Sequence, residues 1–213
     1  MTAFSRRAFT TAALASLLTA CAGQGSKGTA PDSGTTAPRP RSPHRTVPAG
    51  QARPLARSVP VRLLVPAIGV DTPVIRLGLA PDGTVRVPPV TADDRAGWYR
   101  HSPTPGQTGP SVILGHVTVG RYGAGVFRRL TELRRGDRIV ARLENGTAAE
   151  FAVTEVRTVP RTRFPVDDVY GNVDRPELRL ITCGGARTGD GYADNVIVFA
   201  ALSGTETDTP GER

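Results

Sequence analysis

The body of this chain is written in short apolar runs separated by Gly, Pro, Asn and Asp. Residues 61–68 (VRLLVPAI) read as a strand that Pro66 interrupts, which suits an edge or a bulge because proline cannot donate to the ladder. Residues 73–78 (PVIRLG) form a second run. Pro81-Asp82-Gly83 is a turn, residues 84–87 a short strand, and Pro88-Pro89 ends it. Residues 92–101 read as loop, with Trp98 and Tyr99 capping a core. A buried strand follows at 111–117 (SVILGHV), with His116 near its end. Apolar positions 126, 127, 130 and 133 have helical spacing for one or two turns. Residues 137–143 are a strand, Asn145-Gly146 is a hairpin turn, and 147–159 is a long strand. Val156 breaks its alternation, which predicts a bulge. Residues 164–170 suit a helical turn; 177–183 and 195–202 are the last strands, and the polar residues 204–213 read as a loose tail. Eight strands, one or two short helices and short connections predict an all-β fold, a closed barrel or a sandwich around one core, over residues 61–203.

The first 60 residues follow another pattern. Arg6-Arg7 precede an uncharged apolar run at 8–20, too short to cross about 30 Å of hydrocarbon as a helix. Residues 1–21 therefore read as a signal peptide. Arg6-Arg7 within Ser5–Phe9 resembles a twin-arginine export signal, and Leu18-Thr19-Ala20-Cys21 resembles a bacterial lipobox, in which Cys21 is lipidated. Residues 22–60 hold seven prolines and almost no large apolar side chains, the composition of an extended, disordered linker. His44 lies there and is assigned no role. The expected product is an extracytoplasmic domain held at the cell membrane by a lipid anchor.

Charge changes the picture little. The net charge is +8, but residues 1–60 carry eight Lys/Arg against one Asp, while 61–203 carry 18 Arg against 15 Asp/Glu. The excess sits in the signal and linker, which suits an anionic envelope surface. Aromatic–basic repeats and zinc-ligand spacings are missing from the sequence, so nucleic acid is not an expected partner.

Chemistry concentrates at 178–185, L-R-L-I-T-C-G-G. Cys183 is the only cysteine after Cys21, at the end of a strand and beside two glycines. A nucleophile needs that combination of rigid support and access, and it needs a base, because the thiolate is the reactive form. The competing reading is a small buried core residue. His116 stands at the end of its own strand, and an imidazole can exchange a proton close to neutrality. A strand-end histidine can equally well cap a carbonyl.

Taken together, the residues resemble the sortases, cysteine transpeptidases of Gram-positive surfaces, and most closely the class F group of actinobacteria. The resemblance runs from about Val61 to Leu202. It rests on LVPAIGVD at 64–71, DGTVRVP at 82–88, AGWY at 96–99, VILGHV at 112–117, FRRLTELRRGD at 127–137, LRLITCGG at 178–185 and DNVIVFA at 194–200. It implies an eight-stranded sortase-like β-barrel, His116 as general acid/base and Cys183 as the acyl-thioester nucleophile. It implies surface proteins with an LPxTG-like C-terminal signal as substrates, an amine such as a peptidoglycan precursor as acceptor, and no cofactor. The chain departs from the family at Ala193, just before Asp194-Asn195, where relatives carry a catalytic arginine. Arg179, Arg187 and Asn195 are the candidates for that role, with Arg179 favoured as a substrate or oxyanion contact. A second departure is Thr118, where many relatives are acidic. An L,D-transpeptidase would carry Ser-His-Gly-Cys in one motif, whereas His116 and Cys183 are 67 residues apart. The non-enzymatic alternative is a wall-binding lipoprotein on the same barrel.

Overall fold

The computed structural model describes residues 53–90, 95–189 and 191–207. The signal peptide, the lipobox Cys21 and most of the linker lie outside the described residues. Eight strands close into one barrel in the order β1-β2-β3-β4-β7-β8-β6-β5. They are β1 (Pro60–Val65), β2 (Val70–Leu77), β3 (Ala96–Tyr99), β4 (Gly109–Leu114), β5 (Arg138–Leu143), β6 (Thr147–Pro160), β7 (Pro176–Thr188) and β8 (Gly191–Thr207). One short helix, α1 (Val166–Tyr170), lies between β6 and β7. The expected eight-stranded, nearly helix-free barrel is what the chain forms, and closure removes the exposed edges of an open sheet.

Period-2 alternation gives each strand an inner and an outer face. On β7, Leu178 and Leu180 turn inward; on β8, Val196, Val198, Ala200 and Leu202 do the same. They meet Leu63, Val65, Trp98, Ile113, Phe127, Ile139 and Phe151 in the main core. Trp98 is 1% exposed and its indole N–H donates to the Pro103 carbonyl at 3.2 Å, which satisfies its one polar atom inside. The opposite parity builds a second cluster outside the barrel, where Val112, Ile181, Ile197 and Phe199 are covered by Val169 of α1 with Phe164, Tyr170 and Tyr99.

Several local expectations change. Residues 96–99, read as loop, form β3, a short parallel partner of β2. Residues 84–87 form no strand beyond an isolated bridge from Val85 to Leu79. The helical spacing at 126–133 yields only a 3-10 turn, Leu130–Glu132; Phe127, Leu130 and Leu133 are buried, so the spacing reflects core contact without a full helix. Residues 204–207 belong to β8, paired with Thr147–Glu150 rather than loose. The end of the linker is also folded: Leu55 N–H donates to Gly106 O at 2.8 Å and Ser58 N–H to Thr104 Oγ1 at 3.3 Å. The bulge expected near Val156 lies between Val153 and Glu155.

Helix α1 is held down by two arginines that converge on Asp168. Arg157 of β6 reaches its carboxylate at 2.6 Å, and Arg179 of β7 donates to its carbonyl oxygen at 3.2 Å. The guanidinium of Arg157 is held protonated more firmly than usual by Glu155 and Asp168. Arg179 is 3% exposed; its Nη2 lies 2.5 Å from Glu177 Oε2 and its guanidinium sits 4.6 Å from the Phe199 ring centroid. Removing one member of a buried pair strands the other charge. Glu177→Ala is therefore expected to lower the unfolding free energy by about 3–5 kcal/mol, measured by urea denaturation against the unchanged protein.

Candidate functional site

The site grows from the pairing of β4 with β7. These strands are parallel, in register from Gly109 opposite Pro176 to Leu114 opposite Ile181. The ladder continues one step further, with Gly115 N–H donating to Ile181 O at 3.1 Å. Two residues beyond the last pair on each strand stand His116 and Cys183. Neighbouring strands lie about 4.8 Å apart, so the register brings the imidazole-bearing and thiol-bearing ends of the two strands together.

His116 is half-buried. Its carbonyl accepts from Phe127 N–H at 2.9 Å, and its Nε2 lies 2.7 Å from Pro88 O. The loop beyond it returns as a narrow hairpin, with Thr118 bridged to Ala124 and Gly125 N–H donating to Val117 O at 2.9 Å. The return passes so close that a Cβ on Gly125 would fall 2.2 Å from His116 O. Only glycine fits there, and this closure seats Phe127 in the core.

Cys183 is exposed and its thiol is free. The buried-core reading of this residue therefore does not hold. It pairs with Asn195 of β8, and the two share the outer face with Ile181 and Ile197. Immediately after it the strand is bulged between Gly184 and Arg187. Gly185 adopts φ +73°, and a Cβ there would meet the Asp194 carboxylate at 2.1 Å. The two glycines thus let the chain turn away tightly and leave the sulfur open.

Behind Cys183 the outer face of the barrel is apolar: Ile181 and Ile197 are buried, packed with Leu114, Val159 and Tyr170 under α1. Burial, with Tyr99 nearby, pushes the Tyr170 hydroxyl pKa up, so it stays a neutral donor in this greasy wall.

Of the arginine candidates, Arg179 is on the same face as Cys183, but four residues of strand separate them by about 13 Å. Its guanidinium is engaged by Glu177, Asp168 O and Leu178 O beneath α1. These contacts, with 3% of the residue exposed, tie Arg179 to α1. Arg187 is exposed and pairs with Tyr192 in the β7–β8 hairpin. Tyr192 donates its O–H to Thr118 Oγ1 at 3.3 Å, so Thr118 ties the loop after His116 to that hairpin. Asn195 is directly opposite Cys183, and Ala193, two residues before it on the same face of β8, is exposed.

Two residues escaped the sequence reading. Pro88 reads as a strand end, and nothing local says that its carbonyl meets His116. Arg161 follows β6, whose Pro160 pairs with Asp194; its Nη1 lies 3.9 Å from where a Cβ on Gly191 would stand, at the start of the strand that carries Ala193. Only the β6–β8 pairing reveals that neighbourhood. Among the described residues, no group of three His, Cys, Asp or Glu is arranged to hold a metal ion.

Comparison with known proteins agrees with this architecture. No curated protein matches the chain. Among solved structures, the SrtA sortase of Actinomyces oris is 24% identical with a TM-score of 0.54, covering 80% of this chain and 93% of that one. Sortase A of Listeria monocytogenes is 21% identical with a TM-score of 0.52, covering 72% and 92%. Sortase C-1 of Actinomyces oris gives 21% and 0.52, covering 67% and 73%. These likenesses establish the shared barrel. Residues 63–203, from β1 into β8, match the Sortase domain family, and the chain belongs to that family.

Proposed function

We propose that this protein is an extracytoplasmic cysteine transpeptidase, tethered to the cell membrane through Cys21, that acts on an LPxTG-like sorting signal. The observation that carries the reading is the exposed thiol of Cys183, level with His116 at the ends of parallel β4 and β7 and next to the apolar cluster packed under α1. The class F motifs within 64–200 and the anchor-like sequence at 18–21 support the finer assignment.

The thiolate of Cys183 attacks the Thr–Gly carbonyl carbon, forming a C–S bond and an oxyanion. The C–N bond then breaks, and His116 gives its proton to the departing glycine amine. The acyl group remains on sulfur as a thioester. An amine acceptor attacks that carbonyl, loses a proton to His116 and expels the thiolate, which restores the starting state with a new amide. A peptidoglycan precursor or another protein would supply the amine; water in its place gives slow hydrolysis.

Stabilising the oxyanion needs a donor near Cys183. Ala193 cannot supply one, and Arg179 is engaged under α1. Asn195 faces Cys183 across the β7–β8 ladder and takes this role in our reading. The lack of an arginine at 193 is also what favours the second reading, a sortase-like barrel that binds wall polymer without chemistry.

The two readings separate cleanly. The full chain, incubated in detergent with an LPxTG peptide and an amine, is expected to show a thioester mass on Cys183. Cys183→Ala should abolish it, and His116→Ala should slow turnover about 100-fold or more; identical peptide consumption by Cys183→Ala and the unchanged protein rejects the enzyme. Asn195→Ala is expected to lower kcat by about 100-fold with little change in KM, as for loss of one oxyanion donor, followed by steady-state peptide kinetics. For the anchor, Cys21→Ser should leave the chain unprocessed and unlipidated in membrane fractions, and processing that continues as before removes the lipoprotein claim.

A further inference from the structure

The segment between β2 and β3 is built to deliver one carbonyl group. Residues 78–86 form a small, well-tied hairpin. Ala80 N–H donates to Thr84 O at 2.8 Å, and Gly83 N–H to Ala80 O at 3.0 Å. Arg86 is pinned twice, its backbone N–H on Gly78 O and its Nε on Leu79 O, each at 3.0 Å. Asp82 accepts from both the N–H and the hydroxyl of Thr84, at 3.0 and 2.7 Å. The chain leaves this base as Val87-Pro88-Pro89-Val90. Val87, Pro89 and Val90 are exposed, whereas Pro88 is buried. On the far side, Val90 Cγ1 lies 3.7 Å from where a Cβ on Gly120 would stand, in the loop that follows His116.

Two consecutive prolines fix φ at both positions, and the second ring also restrains the residue before it to extended backbone. The direction of the Pro88 carbonyl is thereby preset, and it points at His116 Nε2 across 2.7 Å. A carbonyl oxygen only accepts, so the hydrogen of this bond belongs to Nε2. A neutral imidazole carries one N–H, which leaves the lone pair on Nδ1.

We infer that Pro88 is a positioning residue for His116: its carbonyl holds the ring in the Nε2–H tautomer and makes Nδ1 the atom that exchanges the proton. The same bond survives protonation, because the imidazolium donates from both nitrogens. The ring then keeps its orientation while Nδ1–H hands its proton to the leaving amine. The carbonyl does for this histidine what a buried carboxylate does in a serine-protease triad, with a neutral dipole in place of a charge. The catalytic part of this inference rests on the proposed role of His116; the tautomer does not.

The chain has three histidines, so a full-length sample labelled with nitrogen-15 at histidine, in detergent, gives a simple spectrum. His116 is identified by its loss in His116→Gln. Long-range proton–nitrogen correlation of the neutral ring is expected to show a protonated Nε2 and an unprotonated Nδ1. An Nδ1–H ring, or an even mixture, overturns the inference whether or not any peptide is cleaved. If the expected tautomer appears and no thioester forms, the positioning geometry stands and the transpeptidase reading falls. The double variant Pro88→Gly/Pro89→Gly should mix the tautomers and lower kcat about tenfold with KM nearly unchanged; full kcat with mixed tautomers overturns the catalytic role of Pro88.

Discussion

Strands β4 and β7 run side by side in the same direction, and that pairing fixes where the chemistry can sit. Parallel neighbours need a long crossover, here built from the His116 loop, β5, β6 and α1. The register is set by burial. Leu178 and Leu180 must face inward while Ile181 faces the α1 side. A slip of one residue would exchange the two faces and turn Cys183 toward the core. The inner and outer clusters therefore do more than stabilise the barrel: they decide that the sulfur is outside and level with His116.

The outer face depends in turn on Asp168. Arg157 and Arg179, from the strands on either side of β8, both reach this residue, and both guanidinium groups lie over the Phe199 ring, at 4.7 and 4.6 Å. Cation–ring contacts of this kind gain strength as water is excluded. A five-residue helix has almost no stability of its own. Its position against the barrel is borrowed from these two side chains, which accounts for an arginine as buried as Arg179.

Much of the fold was legible because burial writes itself into alternation. The strands at 137–143 and 147–159 and the bulge near Val156 were readable from side chains alone. Strand β3 was not: Gly97 breaks the apolar pattern, and a Cβ there would run into Leu77 at 2.3 Å, a closeness no local signal announces. The extensions of β7 and β8 were hidden for another reason. The sequence at 184–194 is polar and glycine-rich, and Gly184 with Asp194, Arg187 with Tyr192 and Thr188 with Gly191 pair without an alternating apolar pattern to announce them. At the site, Cys183 and His116 stood out as reactive groups at strand ends beside glycine. Pro88, Arg161 and the true surroundings of Arg179 did not, because each acts across strands that only the closed barrel makes neighbours.

The way the chain enters the barrel has a mechanical consequence. Residues 55–58 lie against the 104–106 turn, ahead of the start of β4, whereas His116 lies past its end. Seven residues of extended backbone, about 23 Å, separate Gly109 from His116. The described chain thus enters the barrel at one pole, and the exposed Cys183 thiol lies toward the other. A pull on the chain at residue 53 would fall first on the Leu55 and Ser58 contacts, a barrel's length from the thiol.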